Sequence, residues 1–299
     1  MALSDSVPPV AGGVLARNGY ALLMDLDEPA VREVLRSMEG YQIAFLAITR
    51  GLWGSDFPIP GDALAHFSRQ WEFPYAWANL AGRRGRALDA GSGITFFPFL
   101  LASAGYEVDC CDGDSDGLGL AERFREAAAR TGCPVRFETS ELTDLPYPDE
   151  SFDAVVCISV LEHTGAKKIE IVRALARVLR PGGRLILTCD VNLGEAGDMP
   201  LEDLALVLAE VERHFEPVHP LDLTRPPTLL TSDAFLRSAP WRLPWPWRRP
   251  RGTSAGPREA ATGSDHFQSI AILGMTADRR SGLARHPRSP RIAARSRCL

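Results

Sequence analysis

An α/β protein built on a doubly wound, mainly parallel sheet is predicted by three observations. Between residues 86 and about 220, short apolar runs bounded by Gly, Pro and Asp alternate with longer amphipathic stretches, the pattern of parallel strands joined by crossover helices. One run ends Leu88-Asp89-Ala90-Gly91-Ser92-Gly93, a strand turning through Gly-x-Gly so that backbone can approach a ligand where any Cβ would collide. The next run ends in Cys111-Asp112, an acid spaced to accept both hydroxyl protons of a ribose. The three together read as a nucleotide-type cofactor pocket.

The elements follow in order. Strands are expected at 86–89, 107–112, 135–139, 153–158, 184–190, near 216–219 and at 269–275, and helices at 96–104, 116–131, 166–179 and 201–214. Thr95 can cap the first helix, with Pro98 tolerated in its first turn. Ser115 precedes the second helix and Gly132 follows it, marking start and stop. Leu179-Arg180-Pro181-Gly182-Gly183-Arg184 closes the third, Pro barring continuation before the strand at Leu185-Ile186-Leu187.

Composition narrows the class. The 299 residues are 45% apolar, enough for a substantial core. Apolar runs are broken by charge well short of a membrane span, and the first residues lack a secretory pattern, so a cytoplasmic protein is expected. Cysteines at 110, 111, 133, 157, 189 and 299 form no C-x-x-C pair, so neither metal nor disulfide is implied and they read as small buried hydrophobes. Net charge is −5, yet residues 278–299 carry seven Arg against one Asp, a net +6, leaving −11 on the remainder. An acidic body argues against a nucleic-acid-binding surface, and the Arg-rich tail reads as disordered. Nothing in the sequence sets an oligomeric state.

The ordered motifs resemble those of class I S-adenosylmethionine-dependent methyltransferases, in the small-molecule branch known as type 11, over roughly 85–190. They are Ala87 to Gly93, Asp112, Ser140-Glu141-Leu142 with Leu145 to Asp153, Ser159-Val160-Leu161-Glu162-His163, and Leu179 to Gly183. The resemblance implies a seven-stranded sheet in the order 3-2-1-4-5-7-6 with the last strand antiparallel, an N-terminal helical cap, and S-adenosyl-L-methionine as cofactor. It implies that Asp89, Gly91, Ser92 and Gly93 hold the methionine part, that Asp112 holds the ribose, that Glu141 and Leu142 hold the adenine, and that Ser159 completes the site. Two positions depart from the family pattern: Thr95 replaces a third loop glycine, and Glu141 stands where the family usually has Asp.

Methyl transfer needs mainly alignment and desolvation, and an acceptor hydroxyl or ammonium needs a base as well. His163, after the strand at 153–158, lies where open α/β sheets place ligands, and imidazole is the side chain that ordinarily exchanges protons near neutral pH. Glu162 and His163 could instead simply begin the next turn and shape the cofactor site. Residues 1–84 form mostly helical patterns and end in an aromatic stretch, in which Arg69, Trp71, Tyr75 and Trp77 are candidates for the substrate side; packing of the cap on the sheet is the alternative. The domain is expected to span 85–277, with an insertion at 220–266 between its last two strands. That insertion carries Trp241 to Arg251, read as a lid whose arginines suit a carboxylate or phosphate, a membrane-surface or partner patch, or a mobile excursion.

A dehydrogenase fits poorly, because Phe96 occupies the third glycine's place and no Tyr-x-x-x-Lys pair exists. Asn-Pro-Pro-Tyr and a Pro-Cys nucleophile are absent too. The expected activity is methylation of oxygen or nitrogen on a small molecule, an anionic one if the arginine loop is a lid, in biosynthetic or secondary metabolism. The alternatives are a noncatalytic S-adenosylmethionine-binding partner module and a methyltransferase acting on a macromolecule.

Overall fold

The central β-strands form where the apolar runs occur, and helices cover both faces of the sheet they make. The structure, a computed structural model, describes residues 3, 7–9, 13–53, 64, 66–80, 82–113, 117, 119–194, 198–232, 234–235 and 270–281. In chain order the elements are β1 (Asn18–Tyr20), α1 (Pro29–Ile48), α2 (Arg69–Leu80), β2 (Gly85–Ala90), α3 (Phe97–Ser103), β3 (Tyr106–Asp112), α4 (Leu120–Thr131), β4 (Val135–Thr139), β5 (Phe152–Ile158), α5 (Lys168–Val178), β6 (Leu179–Asn192), α6 (Leu201–His214), β7 (Phe215–Pro217), β8 (Leu221–Asp222) and β9 (Ile270–Arg279). The tryptophan-rich loop, Ser115, and the tail beyond Ser281 lie outside the described residues.

The strands form one sheet in the order β4-β3-β2-β5-β6-β9-β1-β8, with β7 also paired to β9. Pairing is parallel from β4 through β6, and β9 runs antiparallel to β6. Nine strands among the described residues correct the expected seven-stranded order. The reason lies at the far edge. β7 pairs only with the Ala277–Arg279 end of the long β9, and Asn18–Tyr20 takes up Leu273 and Gly274 further along. An exposed strand edge is thereby paired rather than left open.

Alternation along each strand sends successive side chains to opposite faces. Ala154, Val156 and Ile158 of β5 join a core formed with α1 to α4, which buries Val34, Met38, Phe45, Phe99 and Phe124. Val155 and Cys157 join the other core, with Leu175, Val207, Val211 and Phe215 beneath α5 and α6. Helices on both faces of a largely parallel sheet make the architecture doubly wound.

Three local differences from expectation have simple causes. α4 starts at Leu120, capped by Gly119 in the left-handed region, rather than near 116. β6 begins at Leu179, because Phe152 pairs with Leu179 and Ala154 with Arg184, so Pro181-Gly182-Gly183 forms an irregularity inside a strand. The N-terminal segment is more than a helical cap, since it supplies β1, and Trp71 and Tyr75 of α2 pack on Gly274 in mid-sheet.

Candidate active site

The carboxyl ends of β2, β3 and β5 converge on the loop that follows β2. Gly91 N–H donates to the Cys111 carbonyl (2.8 Å) and Gly93 N–H to Asp112 Oδ2 (2.8 Å), tying the loop to the end of β3. Gly91 has φ +77°, and a Cβ there would lie 2.5 Å from Val160 Cγ2. Gly93 has φ +51° with nothing within 4 Å of its would-be Cβ. One glycine is therefore required by its neighbour, and the other leaves open space above the backbone. Thr95 Oγ1 accepts from Phe97 N–H (3.3 Å), but the N-cap of α3 is Phe96 and no side chain caps it, which corrects the expected Thr95 cap.

Two cavities, of about 420 and 390 Å³, lie beside this loop and share Gly91, Asp112, Gly113, Ser159 and His163 in their walls. The first continues past Ser140, Glu141, Leu142 and Thr143, and the second past Asp89, Ser92, Gly93, Phe73 and Arg69. All the residues expected to hold cofactor thus line one continuous cleft of a size usual for ligand sites. Glu141 is exposed and pairs with Lys167 at 2.9 Å. Val160, Lys167 and Ile171 also line the cleft. In the sequence Lys167 and Ile171 carry no site role, and Val160 none beyond its place in a motif, because an apolar residue after a strand, or a lysine beginning a helix, looks the same whether or not a cavity lies over it.

The electrostatics are set by burial. Burial, then the neighbouring Asp112 charge, raises the Asp89 carboxyl to about 7, with Arg69 opposing. Ser159 is buried with φ +49°, uncommon for a residue with a side chain. Its hydroxyl donates to Glu72 Oε1 at 2.6 Å, which fixes that conformation. His163 stands in a short turn after β5, its side chain 65% exposed and its Nδ1 3.6 Å from Asp198 Oδ2. It reaches both cavities.

Of the four substrate-side candidates only Arg69 faces this cleft, together with Phe73, which the sequence did not single out. Trp71 and Tyr75 are fully buried and stacked at 4.5 Å. Their polar atoms are bound elsewhere: Trp71 Nε1 donates to Asp25 (2.7 Å), and Tyr75 hydroxyl to Asn18 Oδ1 (3.2 Å). Trp77 donates to the Pro9 carbonyl (3.0 Å) and borders a separate cavity of about 250 Å³ with Arg84 and Tyr106. Helical periodicity explains this. Trp71 and Tyr75, four residues apart, share the sheet side of α2, whereas Arg69, Phe73 and Trp77 follow one another at steps of four on another side, Arg69 and Phe73 at the cleft and Trp77 further along against Pro9. Cys110, Cys111, Cys133, Cys157 and Cys189 are buried and unbridged.

The chemistry of the cleft suits an adenosyl cofactor bearing an amino acid. It offers a carboxylate for a ribose, an open glycine floor for a thioether chain, apolar Leu142 and Ile171 for a purine face, and opposite charges, Asp89 and Arg69, at the far end.

Residues 88–187, one third of the chain, match the sequence family described as a methyltransferase domain. The chain is 35% identical over 121 residues to a demethylmenaquinone methyltransferase of Deinococcus radiodurans, covering 40% of this chain and 48% of that protein. It is 30% identical over 145 residues to a ubiquinone biosynthesis O-methyltransferase of Xanthomonas axonopodis pv. citri, covering 48% and 58%. To the tRNA N(3)-cytidine methyltransferase METTL2 of Danio rerio it is 34% identical over 122 residues, covering 39% and 33%. The chain therefore spans about half the length, or less, of these curated relatives.

Proposed function

Because this chain belongs to the class I S-adenosylmethionine-dependent methyltransferases, carrying their domain signature over residues 88–187, we propose that it moves a methyl group to an oxygen or nitrogen of a small molecule. The observation that carries this reading is the single cleft into which Gly93, Asp112, Glu141, Leu142 and His163 all open. When bound, S-adenosylmethionine supplies an electrophilic methyl on a positive sulfur, so the protein's tasks are alignment, exclusion of water and removal of a proton.

Asp112 would hold the ribose hydroxyls, Leu142 and Glu141 the adenine, and Gly91, Ser92 and Gly93 the chain leading to the sulfur. His163, which lines both cavities, would take the proton from an acceptor hydroxyl or ammonium, with Asp198 Oδ2 3.6 Å from its Nδ1 to orient the ring. One feature supports a small acceptor: the acidic main body, which repels polyanions. Quinone-ring and tRNA substrates in the relatives' names mark the span to be tested.

The decisive experiment uses the purified chain. Calorimetry with S-adenosylhomocysteine should show binding, and labelled S-adenosylmethionine should transfer its methyl to a low-molecular-weight fraction of cell extract. Absence of binding by folded protein would sink the reading. Binding without transfer would establish a noncatalytic module, and label in the RNA fraction would move the substrate to a macromolecule.

A further inference from the structure

A third cavity lies at the opposite end of the sheet from the cleft. Gly85 pairs with Tyr106 where β2 and β3 begin, and Ala90 pairs with Cys111 near where they end. At the usual rise per strand residue, the two openings are about 17 Å apart. The cavity, of about 250 Å³, is closed by three parts of the chain: Val7 and Pro8 of the N-terminal segment, Trp77 and Leu80 at the end of α2, and Ala104 and Tyr106 around the turn into β3.

Its floor is apolar and uncharged. Trp77 and Tyr106 are buried, and their polar atoms are already engaged, Trp77 Nε1 with the Pro9 carbonyl and the Tyr106 hydroxyl with the Leu80 carbonyl, each at 3.0 Å. Burial raises the Tyr106 hydroxyl to about 12 against the opposing charges of Arg83 and Arg184, so it stays protonated at neutral pH. No acid lines this cavity among the described residues.

The rim, by contrast, is cationic, formed by Arg83 and Arg84. Arg83 Nη1 donates to the Gly182 carbonyl at 3.3 Å, but its Nη2 comes no closer than 3.4 Å to Asp278. Arg184 already holds that carboxylate with two nitrogens, at 2.6 and 3.2 Å. Two guanidiniums therefore share one acid, and the nearby Asp153 is held by Arg180 at 2.6 Å. Arg84 is exposed and lies across Gly105, its Nη1 3.6 Å from where a Cβ would stand. It has no hydrogen-bond or ion-pair partner among the described residues. A guanidinium carries five N–H donors in a planar fork, and here all five remain open at the mouth of an apolar hollow.

Such a hollow is matched to an amphipathic anion, with its carbons against Trp77, Leu80 and Pro8 and its charge at the guanidiniums. The volume lies just below the range usual for drug-sized ligands, which limits the body to one ring or a short chain. We propose that this cavity is a second ligand site, which takes a compact apolar carboxylate and receives its charged end on Arg84 and Arg83. The proposal is independent of the methyl-transfer reading, since neither arginine belongs to the cleft.

The test titrates the full chain with benzoate and hexanoate, and with their neutral amides benzamide and hexanamide, by ligand-observed nuclear magnetic resonance. At least one carboxylate should bind about five- to tenfold more tightly than its amide, the range for a charged hydrogen bond at a partly exposed site. Arg84→Gln should remove most of that preference, and Arg83→Gln/Arg84→Gln all of it, with amide affinity unchanged within about twofold. Ala104→Leu fills the hollow from a half-buried position and should weaken carboxylate and amide alike, by at least about tenfold. Thermal melts followed by circular dichroism check that each variant is folded, and the two arginine variants, at a surface rim, decide the matter even if Ala104→Leu does not fold. Wild-type protein that binds neither carboxylate, or binds carboxylate and amide equally, would overturn the proposal. So would a carboxylate preference that survives the double arginine variant, or binding that survives Ala104→Leu in folded protein, since the probe would then sit elsewhere.

Discussion

Glu162→Gln should make the protein more stable at alkaline pH. Glu162 is 2% exposed. Its Oε1 accepts from Asp190 N–H at 3.0 Å, while its Oε2 and the neighbouring Asp190 Oδ1 are buried and meet no hydrogen-bond partner among the described residues. Burial, with Asp190 and Glu72 nearby adding like charge, raises the Glu162 carboxyl from 4.5 to about 8. A folded-state pKa above the unfolded value means that the folded protein holds the extra proton. Below about pH 4.5 both states are protonated and stability is unaffected; between about 4.5 and 8 stability falls as pH rises, and above 8 the full cost is present. At about 1.4 kcal/mol per unit, that cost is on the order of 3 to 5 kcal/mol.

The glutamine keeps the acceptor that Asp190 N–H uses and places an uncharged donor where Oε2 is unpartnered. Urea denaturation of wild type and variant at pH 5, 7 and 8.5 should therefore show near equality at pH 5 and a variant advantage of about 2 to 4 kcal/mol at pH 8.5, after allowance for imperfect amide packing. A difference that does not change with pH, or a variant less stable at pH 8.5, would refute the account of a buried carboxyl held protonated.

Three further outcomes are expected. Gly91→Ala should cost about 2 to 4 kcal/mol in chemical denaturation, combining left-handed strain with overlap on Val160, whereas Gly93→Ala should cost only about 1 kcal/mol yet weaken S-adenosylhomocysteine binding at least tenfold; equal stability losses would contradict the difference in space around them. His163→Gln should leave cofactor affinity within about threefold while reducing single-turnover methyl transfer by about 10² to 10⁴; an unchanged rate would rule out the base role. Gly274→Ala puts a Cβ 2.6 Å from Trp71 Cη2 and 2.9 Å from Tyr75 Cε1, so a scanning melt should show a clear fall in Tm, of the order expected for about 2 to 3 kcal/mol of overpacking; an unaltered Tm would show that the stacked rings can move aside.

The strand runs of β2, β3, β5 and β6 and the Gly91–Gly93 turn could be read directly, because hydrophobic period and glycine geometry are local properties of the chain. Asp89 and Asp112 were identifiable for a related reason, since each sits at the end of a strand and parallel strands bring their carboxyl ends to one edge, whereas Leu142 was reached through the motif resemblance. Tertiary structure alone decided the rest. Arg69, Trp71, Tyr75 and Trp77 look alike as a polar and aromatic string, yet helix rotation against the sheet sends the rings to Gly274, Asn18 and Pro9 and the guanidinium to the cleft. The edge partner of β9, some 250 residues from Asn18, and the hydroxyls that converge on Glu72 from β6 and the turn after β5 depend on contacts far apart in the chain, where sequence pattern carries no distance. Burial, which raises the Asp89 and Glu162 carboxyls, is likewise a property of the packed molecule, since the same side chains in the extended chain would be hydrated and ionised at neutral pH.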